Sequence, residues 1–182
     1  MIRSGRLPTG RFRTCGRGQA GGGCRRAAAY NRASLPLVIG SLPMQLSPSI
    51  FKAYDIRGVV PATLTDEVAY ALGRAFGQVA LGEGERTVAV GRDMRPDSGE
   101  LADAVIAGLR AQGRDVLDIG QVTSDMIYFA VGSLRLAGGA MITASHNPGK
   151  DNGIKLCREE AKPVGLDSGL DQIRDAVLAG KF

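Results

Sequence analysis

The segment Thr143–Pro148, with the sequence TASHNP, concentrates groups that could do chemistry. It follows a short apolar run and contains His146, the single histidine of the chain, directly after Ser145. A serine hydroxyl can act as a nucleophile or accept a phosphoryl group, and an adjacent imidazole can orient or polarise it. The same residues also form a good turn, and a lone histidine is more often structural. Composition alone therefore leaves both interpretations open.

Predicted strands and helices alternate along the chain from about residue 50 onward. Thr65 is a candidate N-cap for the first helix, and Asp97 with Glu100 forms a capping-box-like pair before the second. Short segments rich in apolar residues predict strands at Thr87–Gly91, Asp115–Ile119, Gly139–Thr143 and Gly153–Cys157. Helical spacing predicts helices over 65–79, 97–113 and 124–134, and a last helix capped by Ser168 and Asp171.

This alternation predicts an α/β fold in which helices cover both faces of one sheet. We expect a three-layer α/β/α domain with a mostly parallel mixed sheet, because connections through helices join parallel strands. The link between residues 143 and 153 is short, which allows one antiparallel neighbour. Ligands of open α/β sheets bind beyond the carboxyl ends of the strands, and the TASHNP segment begins at one such end.

The first part of the chain differs in charge from the rest. Residues 1–50 contain eight Arg and no Lys, Asp or Glu, although the whole chain has a net charge of only +5. Residues 1–43 are rich in Arg and Gly and are predicted to be a disordered basic leader. This leader resembles an organelle transit peptide that is poor in Ser, or a basic arm for nucleic acid or anionic surfaces. The interpretation favoured over both is a mis-assigned start, with translation beginning at Met44.

Cysteine content and hydropathy indicate the compartment. Three Cys leave an odd thiol and no disulfide framework, which favours a reducing compartment, the cytoplasm. Cys15 and Cys24 have neither a nearby His nor CxxC spacing, so they do not predict a metal site. No run approaches the ~20 apolar residues of a membrane-spanning helix, so we expect no membrane partner.

The TASHNP segment resembles the phosphoserine loop of the α-D-phosphohexomutases, the phosphoglucomutase/phosphomannomutase superfamily. Three further segments resemble signatures of that family in the same order, namely FKAYDIRGV (Phe51–Val59), GRDMR (Gly91–Arg95) and NGIK (Asn152–Lys155). Each segment is short, but four in register form a specific pattern that covers roughly residues 50–160 and extends plausibly to 182. The pattern is most similar to the bacterial bifunctional phosphomannomutase/phosphoglucomutase branch. Residues 44–182 are thus identified as the N-terminal domain of such an enzyme.

The resemblance implies a reaction. In family members the serine matching Ser145 carries a phosphate and donates it to a hexose monophosphate. The resulting bisphosphorylated sugar turns around in the site, and the serine takes back the other phosphate. The net reaction interconverts hexose 1-phosphate and hexose 6-phosphate, so a hexose phosphate is the implied substrate of the family.

The resemblance also implies roles for several side chains. Residues matching Lys155 and Arg57 are candidates for general acid–base catalysis or for steadying the transferred phosphate. Lys155 lies on the strand after the serine loop, and the turn between them can fold it back toward Ser145. Tyr54 resembles a tyrosine near the substrate, although a partly buried core aromatic is an equal alternative. His146 is expected to hold the serine loop by hydrogen bonding.

Two structural roles are expected beside these. Asp55 is expected to pin the loop that holds Arg57. Arg92, Asp93 and Arg95 are expected to form a salt-bridged loop behind the serine.

Magnesium is the cofactor that the resemblance implies. Family members hold Mg²⁺ through three Asp of a DGDxDR-type loop, and this sequence contains no such loop. The phosphate on Ser145 would be the single ligand from this chain, and because Mg²⁺ prefers near-octahedral oxygen coordination we expect weak binding. We therefore expect an N-terminal fragment that is inactive alone. The alternative is a catalytically silent interaction module or a degenerate gene product, which could associate with other mutase domains.

Overall fold

The computed structural model describes residues 46–81, 84 and 86–182. The predicted basic leader, residues 1–43, lies outside the described residues, as do Cys15 and Cys24. Within the described part, none of the helices combines the length and the apolar character needed to cross a membrane.

One five-stranded sheet organises the described residues. Its strands are β1 Ile56–Val59, β2 Thr87–Arg92, β3 Asp115–Gln121, β4 Gly138–Ile142 and β5 Asp151–Arg158. The α-helices are α1 Asp66–Ala75, α2 Ser98–Ala111, α3 Ser124–Leu134 and α4 Asp171–Ala179. Shorter helical turns lie at Pro48–Ile50, Phe76–Ala80, Glu159–Ala161 and Leu166–Leu170.

The strand order is β1-β5-β4-β2-β3, and β5 alone of these strands runs against the others. The short link between β4 and β5 allowed one antiparallel pairing, and that pairing is present. A second one joins β5 to β1, a short strand that the sequence analysis did not identify. The mixed sheet follows from this arrangement, because β5 inserts between two strands of the same direction.

The two faces of the sheet pack against different helices, as alternating side chains along a strand require. In β2, Val88 and Val90 pack into the larger core with α1, α2 and α4, whereas Ala89 packs with Ile127 and Val131 of α3. The three-layer α/β/α prediction is therefore confirmed. The same alternation holds in β4, whose side chains also divide between the two cores.

Helices α1 and α2 approach each other closely through two glycines. A Cβ atom on Gly108 would lie 2.2 Å from the carbonyl oxygen of Tyr70, and one on Gly73 would lie 2.4 Å from that of Val105. Real side chains do not tolerate such distances, so both positions require glycine for this helix packing.

Of the three N-terminal side-chain caps predicted from the sequence, one is present in the structure. The Thr65 side chain accepts a hydrogen bond from the amide of Val68 at 3.3 Å, as predicted. The predicted capping box at Asp97 is wrong, because Asp97 itself has right-handed helical backbone angles and makes no side-chain cap. Ser168 does not cap α4 either, since its hydroxyl accepts from the amide of Gly165 in the preceding turn.

The crossovers bring two loops to one edge of the sheet. Strand β2 lies beside β4 in parallel, and Arg92 at the end of β2 pairs with Ile142 at the end of β4. The loop after β2 and the loop after β4 therefore start side by side at the carboxyl edge, where open α/β sheets bind ligands.

Candidate functional site

The loop between β4 and β5, residues 143–150, is called the serine loop here. Ser145 is exposed and has a φ angle of 57°, in the left-handed region that side chains with a Cβ rarely adopt. Its amide donates to the Thr143 hydroxyl at 2.9 Å, and its own hydroxyl lies 3.2 Å from Nδ1 of His146. The Ser145 hydroxyl is thus open to solvent at the carboxyl edge of the sheet.

Arg95, from the loop after β2, braces the serine loop from behind. Its side chain is 12% exposed. The two terminal nitrogens of its guanidinium donate to four backbone carbonyls, those of Ser145 at 3.0 Å, Asn147 at 2.7 Å, Pro148 at 2.9 Å and Asp151 at 2.8 Å. The Arg95 side chain therefore fixes the position of the backbone along nearly the whole loop.

A chain of polar groups holds Arg95 in turn, and it is called the buried polar chain here after its two buried members, Ser98 and Asn152. Nε of Arg95 lies 3.3 Å from the carboxylate of Asp93, which accepts from the Ser98 hydroxyl at 2.6 Å. Asn152, which is 1% exposed, donates from its side-chain amide to the Ser98 oxygen at 3.0 Å. Burial acts to raise the pKa of Asp93, but hydrogen bonds from Ser98, the Arg95 amide and Thr143 outweigh it and lower that pKa.

Arg92 does not join this loop, contrary to the expectation that it would pair within the GRDMR segment. Its guanidinium binds the carboxylate of Asp118 on β3 at 3.3 Å. Arg92 is the last residue of β2, and β3 is a neighbouring strand. A partner on β3 is therefore close to Arg92. Only Asp93 and Arg95 form the salt bridge that was expected behind the serine.

A cleft of about 520 Å³ opens beside the serine loop, lined by Lys52, Ala53, Tyr54, Asp55, Arg57, Asn147 and Lys155. Ser145 is not among the lining residues, and the serine loop reaches the cleft through Asn147. Tyr54 is 72% exposed, so the alternative of a core aromatic is wrong. The cleft carries three cations and one carboxylate and is therefore suited to an anion.

The carboxylate of Asp55 joins the two predicted cations of the site. It is 2.8 Å from both Nε and Nη2 of Arg57 and 3.5 Å from Nζ of Lys155. The remaining arm of Arg57 donates to the side-chain oxygen of Asn147 at 2.8 Å. Arg57 thus connects β1 to the serine loop, and Asp55, which is buried, sets the position of both cations.

The structure brings Tyr54, Arg57 and Lys155 to one cleft and places Ser145 with His146 beside it. Among the described residues, neither cation forms a hydrogen bond or an ion pair with Ser145 itself. A group bonded to the hydroxyl oxygen of Ser145 would have to span the gap between that oxygen and the two cations.

Sequence reasoning missed several residues that shape the site. Lys52 lines the cleft, and the FKAYDIRGV segment that contains it was the available signal. Asn147 lies in the segment Thr143–Pro148, whose residues favour a turn, and its bond to Arg57 depends on β1 lying next to β5. The buried Ser98 and Asn152 gave no local signal of their hydrogen bond, because they lie on different elements.

Comparison with known proteins identifies this arrangement. The family described as phosphoglucomutase/phosphomannomutase, alpha/beta/alpha domain I, matches residues 48–182. The chain belongs to this family. The family's domain I thus contains all four sequence segments noted above, and the resemblance stated from the sequence is confirmed.

Three relatives show what fraction of a family member's length this chain matches. It is 49% identical over 129 residues to a phosphohexose mutase of Xanthomonas campestris pv. campestris, covering 71% of this chain and 28% of that protein. It is 48% identical over 132 residues to a phosphomannomutase of Klebsiella pneumoniae, covering 72% of this chain and 82% of that protein. A Burkholderia thailandensis phosphoglucomutase/phosphomannomutase family structure matches with a TM-score of 0.69 and 38% identity, over 75% of this chain and 31% of that one.

The chain therefore spans less than a third of the Xanthomonas and Burkholderia relatives. It corresponds to domain I of this family, the part of the longer proteins that contains the serine loop.

Proposed function

We propose that this chain is the phosphoserine-bearing domain of a phosphohexomutase that interconverts hexose 1-phosphate and hexose 6-phosphate. The observation that carries the proposal is the exposed Ser145 hydroxyl on a braced loop beside a cationic cleft. The names of the relatives, phosphomannomutase and phosphohexose mutase, support a hexose phosphate as the substrate class.

The proposed transfer breaks the P–O bond to Ser145 Oγ and forms a new P–O bond to a sugar hydroxyl. The sugar hydroxyl loses its proton and Ser145 Oγ gains one, so the step needs a group that moves a proton. Lys155 is our candidate, because a lysine gives up its proton far more readily than an arginine. Transfer back from the bisphosphorylated sugar reverses these bond changes at the other end of the hexose.

Arg57 is assigned to charge neutralisation. Its guanidinium is held at Asp55 and Asn147, so it presents a fixed positive charge at the cleft. Phosphoryl transfer depends mainly on such positioning and on stabilising charge. The exposed ring of Tyr54 lines the same cleft and is assigned to sugar binding, and His146 is assigned to orienting Ser145 Oγ.

The phosphate of Ser145 is the only magnesium ligand that we propose from this chain. Among the described residues, no three His, Cys, Asp or Glu side chains form a group that could hold a metal ion. Asp55, the carboxylate at the cleft, is already bound to Arg57 and Lys155. These residues do not fit a resident Mg²⁺ site, and we assign no step of this chain to the ion.

We further propose that the chain alone does not turn over substrate, because the Xanthomonas and Burkholderia relatives contain much more protein than this domain. The proposed reaction belongs in the cytoplasm, the compartment that the cysteine content predicts. Association with other mutase domains is a second proposal. It is favoured by Met126 and Phe129, which lie one helical turn apart on α3 and are 52% and 74% exposed.

A domain exchange tests the proposed function. Residues 48–182 would replace the matching segment of the Xanthomonas relative, and sugar phosphate interconversion would be followed in a coupled assay. We expect activity in the chimera, loss of activity with Ser145→Ala, and no change with Ser133→Ala, an exposed serine on α3. A folded chimera without activity, or full turnover by the isolated chain, would contradict the proposal.

Gel filtration of the full chain tests the association. Concentration-dependent self-association, weakened by Phe129→Ser, is expected. A monomer at all concentrations, also when mixed with a mutase relative, would exclude it.

A further inference from the structure

The contacts of Arg95 exceed what a salt bridge within its own loop requires. A guanidinium has five N–H donors in a planar fork, and every branch of this one has an acceptor. Nη1 donates to two carbonyls, Nη2 donates to two more, and Nε faces the carboxylate of Asp93. A lysine in the same place has one nitrogen and could not bridge four carbonyls in this plane.

We propose that Arg95 is a positioning residue, which holds Ser145 in its left-handed conformation and so presents the hydroxyl for phosphoryl transfer. The inference rests on the proposed function. A φ angle of 57° is unfavourable for serine, so surrounding contacts have to maintain it. Arg95 binds the carbonyl of Ser145 itself, which belongs to one of the two peptide groups that set this conformation, and the carbonyl of Asn147 two residues later.

The same contacts change the charge that a phosphate would meet. Backbone carbonyl oxygens carry partial negative charge and repel a phosphate. Four of them in and just after the serine loop are bound by one cation, which reduces that repulsion. Arg95 therefore favours a phosphorylated Ser145, although among the described residues its hydrogen bonds reach the carbonyl of Ser145 and not the hydroxyl oxygen.

The buried polar chain makes Arg95 a fixed support. Asp93 binds Arg95 and accepts from Ser98, and Ser98 accepts from Asn152 at the start of β5. This chain links the loop after β2 to the strand that follows the serine loop. The C-terminal end of the serine loop is thereby attached to the group of side chains that holds Arg95.

Hydrogen exchange of the full chain tests the positioning role. The informative amides are those of Ser145, Asn147 and Asp151, which bond within the loop to Thr143 Oγ1 and to the carbonyls of Ala144 and Pro148. Arg95 bonds to none of these N–H groups, although it shares the Pro148 carbonyl with the amide of Asp151, so the amides of Ser145 and Asn147 report the shape of the loop most directly. In Arg95→Lys we expect them to exchange at least about tenfold faster, while amides of β2 and β4 keep their rates.

Arg92→Lys is the matched control, because Arg92 lies in the same segment but binds Asp118. It should leave the loop amides unchanged. Wild-type exchange rates in Arg95→Lys would overturn the inference. An equal increase throughout the sheet would also overturn it, since Arg95 would then support only overall stability.

A second readout uses the full chain with phosphoserine incorporated at position 145. We expect its ³¹P resonance to differ from that of the same chain unfolded in urea, and Arg95→Lys to move it most of the way back. An unchanged resonance in Arg95→Lys would overturn the positioning role alone. A wild-type resonance identical in the folded and unfolded chains would instead overturn the proposed function, together with the role in transfer that rests on it.

Discussion

Replacing Ser98 with alanine removes the centre of the buried polar chain. Ser98 is fully buried, donates to Asp93 at 2.6 Å and accepts from Asn152 at 3.0 Å. Loss of a hydrogen bond to a charged group costs about 1.5–3 kcal/mol, and an unsatisfied buried amide costs about 1–3 kcal/mol. The two losses overlap because both groups can relax toward the space left by the hydroxyl. We expect the free energy of unfolding to fall by about 3 kcal/mol.

Urea unfolding of the full chain at neutral pH measures this loss. For a folded part of this size, 3 kcal/mol corresponds to a melting temperature lowered by about 10 °C. Ser133→Ala is the matched control, since the exposed Ser133 hydroxyl donates only to a carbonyl of its own helix. It should change stability by less than about 0.5 kcal/mol.

The pH dependence tests the assignment to Asp93. Its pKa in the folded chain is lowered from 3.8, so its ionised form stabilises the fold at neutral pH. This contribution disappears as the pH falls below 3.8 and through the lower folded-state pKa. Ser98→Ala removes one cause of the lowering, so the difference from wild type should shrink on acidification toward about pH 3. A loss under about 1 kcal/mol, or a loss that does not shrink with acid, would refute this reasoning.

Three further predictions concern the core and the cleft. Gly108→Ala should cost about 1–3 kcal/mol in urea unfolding, because its Cβ meets a backbone carbonyl of α1, whereas Gly99→Ala on the same helix meets nothing within 4 Å and should not destabilise. Burial raises the pKa of Cys157 to about 11, so mass-spectrometric mapping at mildly alkaline pH should find its thiol alkylated only after unfolding; rapid native labelling would contradict this. Asp55→Asn removes the carboxylate that competes with anions for Arg57, and calorimetry should show phosphate binding strengthened up to about tenfold. Unchanged or weaker binding would show that Asp55 only holds the cations in position and does not compete with anions for them.

Local signals carried much of the fold prediction. Helix α1 was readable from Thr65 and the periodic apolar residues after it, because capping and amphipathic spacing involve neighbours in sequence. Strands β2 to β5 were predicted from short segments rich in apolar residues. Strand β1 was not, since its four residues become a strand only by pairing with β5, and that partner lies far along the chain.

The candidate site divides in the same way. Ser145, Arg57 and Lys155 were chosen from short segments whose residue types are informative on their own. Their relation in space was not predictable in detail. Asp55 binds both cations only because β1 and β5 are adjacent, and Arg92 turned to Asp118 because β3 lies beside β2.

For this protein, the sequence by itself determined the order of the four α-helices and of strands β2 to β5, the α/β class and the identity of the serine segment, because each depends on residues close together in the chain. Only the tertiary structure decided that Arg95 would bind four carbonyls in and just after a loop some fifty residues away, and that Tyr54 would be exposed at a cleft. Such contacts depend on strand order and register, which are set by how all the elements bury their apolar faces together.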